Sequence, residues 1–224
     1  HEQSGVRCQF ICSGRRFALT SSLEVALLAA ALLAALALRP WQMLRGGALL
    51  SPLLGIVVIL PWLWALPRLH TMPLQLQLSG ACAATLMLGW PLAVPVLAIV
   101  ALLGGVIAPA EWDALVAQAV WQGVVPASLA LAAGALLRRL AGPHPFVYIL
   151  GRAFAATVLC TFLAEYLSQL AGHEILNVGM GLSMVARWLV AWGDGFMTGL
   201  LAAIFVAYRP QWLATWSDRL YLKS

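Results

Sequence analysis

The residues able to do chemistry in this chain are few, and most of them stand alone inside apolar runs. Asp194 lies between Gly193 and Gly195, with hydrophobic sequence on both sides, and Arg187 precedes it by seven residues, two helical turns along the same face. A carboxylate flanked by two glycines lets a second helix approach closely, so Asp194 is read in two ways, as an interhelical hydrogen-bonding group and as a substrate ligand. Arg152 and Glu165 are thirteen residues apart in one run, about 20 Å along a helix, so each needs a partner on another element. Arg152, near the inner end of its run, reads either as a snorkelling or as a structural side chain, Glu165 near the outer end as either an interfacial or a functional carboxylate, and Glu24 first as a carboxylate near the outer headgroups. His70 and Gln77 bracket the stretch HTMPLQLQ, where an imidazole is the natural transition-metal ligand and the amides offer hydrogen bonds. Of the other polar groups, His144 reads as solvated, His173 beside Glu174 as a weak cation ligand, and Cys82 and Cys160 as small buried thiols.

What must position these groups is a set of long apolar segments. Of 224 residues 62% are hydrophobic and 9% charged, and the mean hydropathy is +0.91. A soluble domain carries about 25% charged residues, so soluble enzymes, nucleic-acid-binding domains and disordered proteins are excluded as first readings. The runs are continuous rather than alternating, which argues for helices over a barrel. They fall at about 18–38, 48–66, 74–90, 92–109, 117–137, 146–170 and 184–207. The expected fold is therefore an all-α polytopic bundle of seven spans, with residues 1–17 as a basic polar extension, 18–208 as the bundle and 209–224 as a cytoplasmic tail. Arg39 and Arg45 follow the first run, Arg138 and Arg139 the fifth, and Arg209 and Arg219 the last, which predicts those connections on the cytoplasmic side and the N-terminus outside. Ala26, Ala30 and Ala34 form a small-residue stripe suited to close contact with a partner helix in lipid.

Soluble-enzyme signatures are missing: there is no phosphate-binding loop, no H-E-x-x-H and no G-x-S-x-G. Without a visible nucleophile–base pair, the chain is not expected to be an enzyme. The tail from Gly193 onward carries Asp194, Thr198-Gly199, Tyr208-Arg209-Pro210, Trp212, Asp218 and Tyr221-Leu222 in an order that resembles one bacterial group. That group is the energy-coupling-factor ABC transporter permeases of the CbiM/NikM-like (cobalt/nickel-type) class, in their divergent proteobacterial branch. The segments LSGACAATLMLGWPLA (78–93) and HPFVYILGRAF (144–154) are similar to the same branch. The resemblance implies a substrate-capture subunit in the bacterial inner membrane. It would work with a transmembrane coupling subunit and two cytoplasmic ATPases, and its substrate would be Co²⁺ or Ni²⁺. Asp194, Gln77, Glu165 and Arg187 are then the substrate-binding candidates, His70 and Asp194 the metal candidates, and Ala26, Ala30 and Ala34 the partner interface. Where the metal-transporting members place a central His, this chain carries Gln77, and their N-terminal Met-His pattern is absent. That departure keeps a second expectation alongside the first, a non-transporting subunit or assembly factor packed within a larger membrane complex.

Overall fold

The computed structural model describes residues 2–69, 77–142, 144–173 and 180–216. Among the described residues seven helices carry the fold: α1 (Glu2–Ala37), α2 (Leu50–Leu69), α3 (Ala81–Leu88), α4 (Trp90–Ile107), α5 (Trp112–Ala141), α6 (Val147–Leu170) and α7 (Met180–Tyr208). Short turns at Trp41–Leu44 and Pro210–Trp212 join or follow them, and no strand occurs among the described residues. Six of these helices, all except α3, contain stretches long and apolar enough to cross a membrane. The chain is a multi-pass membrane protein built as a helical bundle.

The third apolar run is the departure from expectation. A continuous span over 74–90 is predicted; among its described residues ahead of Gly89, the helix is Ala81–Leu88, eight residues and about 12 Å, far short of a ~30 Å hydrocarbon layer. Residues 77–80 are not helical, because the backbone N–H groups of Ser79 and Gly80 are donated to the Asp194 side chain. Gly80 has φ +63° and Gly89 φ +76°, left-handed conformations that bracket α3 and that favour glycine. At Gly80 a Cβ would also come 2.6 Å from Leu60 Cδ1.

The contacts sort the connections to two ends. At one end Gly89 lies against Met43 and Ala214, the Ala214 N–H donates to Met87 O at 2.9 Å, and Tyr148 Oη meets Thr215 Oγ1 at 2.8 Å. The connections bearing Arg39, Arg45, Arg138, Arg139 and Arg209 share this end. At the other, Arg68 donates to Ala108 O at 3.1 Å and Ser21 to Asp113 at 3.4 Å. Helix α2 thus delivers the chain to the second end, α4 starts from the first, and residues 77–88 travel between them as irregular backbone plus a short helix. Six helices are thus long enough to span, against the seven spans expected, and the third apolar run contributes a short helix instead.

Trp64, Leu88, Ala93, Leu97, Val100 and Tyr148 are buried at the centre. Helix α1 is the most peripheral: 11% of its apolar window Thr20–Ala37 is buried, chiefly where Ala35 packs on Val94 and Val124. Ala26, Ala30 and Ala34 are exposed on its outer face. Residues 1–17, read from sequence as a separate extension, continue the same helix from Glu2 onward. The 209–224 tail does not hang free at its start: Leu213 and Trp216 are buried beneath α3 and α6.

Candidate functional site

The geometry centres on the break. Asp194 is 3% exposed. Its Oδ2 accepts from Ser79 N at 2.9 Å and its Oδ1 from Gly80 N at 3.3 Å, so one carboxylate satisfies two backbone donors just ahead of α3. A negative charge there also complements the positive end of the helix dipole. Gly195 explains how α7 comes close enough: a Cβ at that position would strike Val158 Cγ2 and lie 3.3 Å from Phe154 O on α6. The carboxylate of Asp194 on α7 thus hydrogen-bonds the non-helical backbone that leads into α3.

Around the break lies an amide cluster. Gln118 Nε2 donates to Gln122 Oε1 at 3.0 Å, Gln77 Oε1 at 3.2 Å and Trp64 O at 3.3 Å. Gln122 Nε2 donates to the same Gln77 oxygen, and Arg68 Nη2 donates to Gln118 Oε1. The backbone of α5 makes this arrangement possible. Residues Ala119–Val124 wind as a π-turn, with Val125 N–H donating to Val120 O. Pro126 has no N–H to offer the Gln122 carbonyl one turn back. That freed carbonyl accepts from Ser79 Oγ at 2.6 Å. Trp64 Nε1 closes the set by donating to Ser79 O at 3.0 Å. A continuous polar path thus runs from Arg68 through three glutamines and Ser79 to Asp194.

A second polar group sits toward the same end. Glu24, 3% exposed, accepts from Trp121 Nε1 at 2.8 Å and meets His173 Nε2 at 2.6 Å. Arg187 pairs with Glu165, donates to Glu165 O at 3.0 Å and to His173 O at 2.9 Å. These bonds tie α1, α5, α6, α7 and the turn after α6 into one cage.

The structure therefore links Gln77 to Asp194 only indirectly, through Gln122 and Ser79, and joins Glu165 to Arg187. Glu24 and Glu165 are both engaged by partners on other elements, Glu24 by Trp121 and His173 and Glu165 by Arg187. Arg187 is committed to Glu165, not to Asp194. Arg152 is buried within the protein, at 6% exposure. Cys82 and Cys160 are free and buried, as expected. His70 and Glu174 lie outside the described residues, as do Asp218 and Tyr221-Leu222. Among the described residues no group of three His, Cys, Asp or Glu side chains is placed to hold a metal ion. Sequence reasoning missed Gln118, Gln122, Ser79 and the inward role of Arg68. A signal existed for the first two, amides four residues apart in an apolar run just before Pro126. No protein-family profile matches the chain, and no curated protein or solved structure is significantly similar to it.

Proposed function

We propose that this chain is the substrate-capture component of an energy-coupling-factor-type transporter in a bacterial inner membrane, with Co²⁺ or Ni²⁺ as substrate. The observation that carries the reading is the broken third passage. Irregular backbone at membrane depth is tolerated only where protein or a cavity surrounds it, and discontinuous helices are where transporters build their substrate sites. Here the break lies beside Asp194, Gln77, Gln118 and Gln122, all in one hydrogen-bonded group. The metal ligands in this proposal are Asp194 and His70, with the amide oxygens and the Glu165–Arg187 pair shaping the surroundings. The arginine-rich end faces the cytoplasm under the positive-inside rule, which puts the C-terminus inside and the N-terminus outside. The exposed Ala26, Ala30 and Ala34 face of α1 docks a transmembrane coupling subunit, and cytoplasmic ATPases supply the energy. Titration calorimetry of the detergent-purified chain with Co²⁺ and Ni²⁺ tests the substrate. Saturable heat abolished by chelator supports it, and heat equal to the chelated control refutes it.

One observation favours a second reading. Both oxygens of Asp194 and the Gln77 oxygen are already engaged by protein donors, the behaviour of a packing scaffold inside a larger membrane complex. Mild-detergent pull-down separates the two readings: recovered coupling and ATPase subunits support transport, and other stable integral subunits support scaffolding.

A further inference from the structure

Arg152 belongs to neither polar group described above. It projects from the first part of α6, where Val147–Ala155 is wound as a π-helix and Ala156 N–H reaches back to Gly151 O. Such windings are rare and frequent at functional sites, because they rotate side chains off the regular helical face. Arg152 is 6% exposed, and its buried Nε and Nη1 have no hydrogen-bond partner among the described residues. Room for it is made by Gly134 on α5: a Cβ there would come 2.5 Å from Nε and 2.8 Å from Cζ. The ring of Tyr148, its centroid 5.7 Å from Arg152 Cζ, covers one side.

A buried guanidinium is always charged, and a buried charge needs an opposite charge or a full set of acceptors. The cleft around it is lined by Gly134, Leu137, Arg138, Gly142, Val147 and Tyr148. None of these is acidic, and exposed Arg138 adds a second positive charge at the rim. Among the described residues no carboxylate meets the guanidinium, which leaves its charge open to a ligand. The location says what it is. The cleft sits at the arginine-rich end of the bundle, flanked by Leu140, Phe146 and Leu150, which are 76%, 69% and 60% exposed. Those side chains face lipid in a membrane protein, so the mouth opens at headgroup depth. Basic pockets between helices at that depth suit lipid phosphates, and a guanidinium fork matches a phosphate's paired oxygens. The cavity itself, about 10 Å³, admits roughly one oxygen-sized group. The remainder of the ligand stays outside, against Arg138.

We propose that the cleft between α5 and α6, with Arg152 at its base and Arg138 at its rim, binds a phosphate oxyanion, supplied by an anionic phospholipid headgroup. This site is independent of the substrate reading above. The test uses the delipidated full chain in neutral detergent, titrated with short-chain phosphatidylglycerol, with diacylglycerol of the same chains, and with inorganic phosphate. Binding is read by calorimetry and by the thermal unfolding midpoint. The expected result is one saturable phosphatidylglycerol site and none for diacylglycerol. R152M weakens binding about tenfold or more, the loss of a charge-assisted pair. R138Q weakens it less, and R139Q, outside the cleft, leaves it unchanged. Should R152M fail to fold, G134A serves instead, since its Cβ displaces the guanidinium. Inorganic phosphate that binds and displaces the lipid assigns the free ion as a sufficient ligand. Lipid binding without phosphate binding assigns the headgroup. Absence of binding by both, or equal weakening by R139Q and R152M, overturns the proposal.

Discussion

Replacing Asp194 tests the central structural claim most directly. Its carboxylate uses one oxygen for each of two backbone donors, Ser79 N at 2.9 Å and Gly80 N at 3.3 Å. In D194A both N–H groups lose their acceptor in a buried setting. A hydrogen bond to a charged group contributes about 1.5–3 kcal/mol in soluble proteins, whereas interhelical bonds in membrane proteins average about 0.6 and reach about 1.7. Taking the membrane figures for two bonds gives a loss of about 1–3 kcal/mol. For a chain of this size that is a fall of roughly 3–10 °C in the unfolding midpoint. The sharper expectation concerns D194N. An amide offers one oxygen, and its NH₂ then faces a backbone donor, so Asn rescues at most one of the two bonds. D194N is therefore expected to lie closer to D194A than to the parent. The assay is thermal or denaturant unfolding in mild detergent, followed by tryptophan fluorescence. If D194A unfolds within about 0.5 kcal/mol of the parent, or D194N matches the parent, the two-donor cap is not what holds the break.

Three further outcomes follow from the same geometry. Gly195→Ala is expected to cost about 1–3 kcal/mol, the usual penalty of overpacking, because its Cβ meets Val158 and the Phe154 carbonyl; an unfolding midpoint equal to the parent's would contradict the close approach of α6 and α7. In the Glu165–Arg187 pair, E165M or R187M alone is expected to cost about 2 kcal/mol or more, and the double substitution less than their sum, since removing one partner strands the other; a double-mutant cycle with no coupling energy argues against the pair. Ala30→Phe, on the exposed face of α1, is expected to leave the stability of the isolated chain within about 0.5 kcal/mol while reducing recovery of membrane partners in pull-down. Unchanged recovery removes that face from the interface.

Much of the architecture is legible in the sequence because lipid imposes a simple rule. Apolar stretches of about 20 residues must satisfy their backbone internally, so they become helices whatever their partners. The positions of the arginines likewise foretold that the connections after the first, fifth and last runs share an end, because loop charge and span order are both local in sequence. The third run shows where this reasoning stops. Its hydropathy matches a span, yet residues 77–80 give up helical hydrogen bonds to a side chain 115 residues away in sequence, and no local pattern encodes that partner. The same holds for the charged groups. Composition alone singled out Asp194, Glu165 and Arg187 as costly, but which of them pair is a property of helix packing. Glutamines 118 and 122 become a site only when Pro126 and the π-turn aim them and free a carbonyl at the break. Sequence by itself thus determined the solvent, the helices and which polar residues are expensive to bury. Tertiary structure decided how each cost is met, because in lipid a polar group is satisfied only by the particular helix brought beside it.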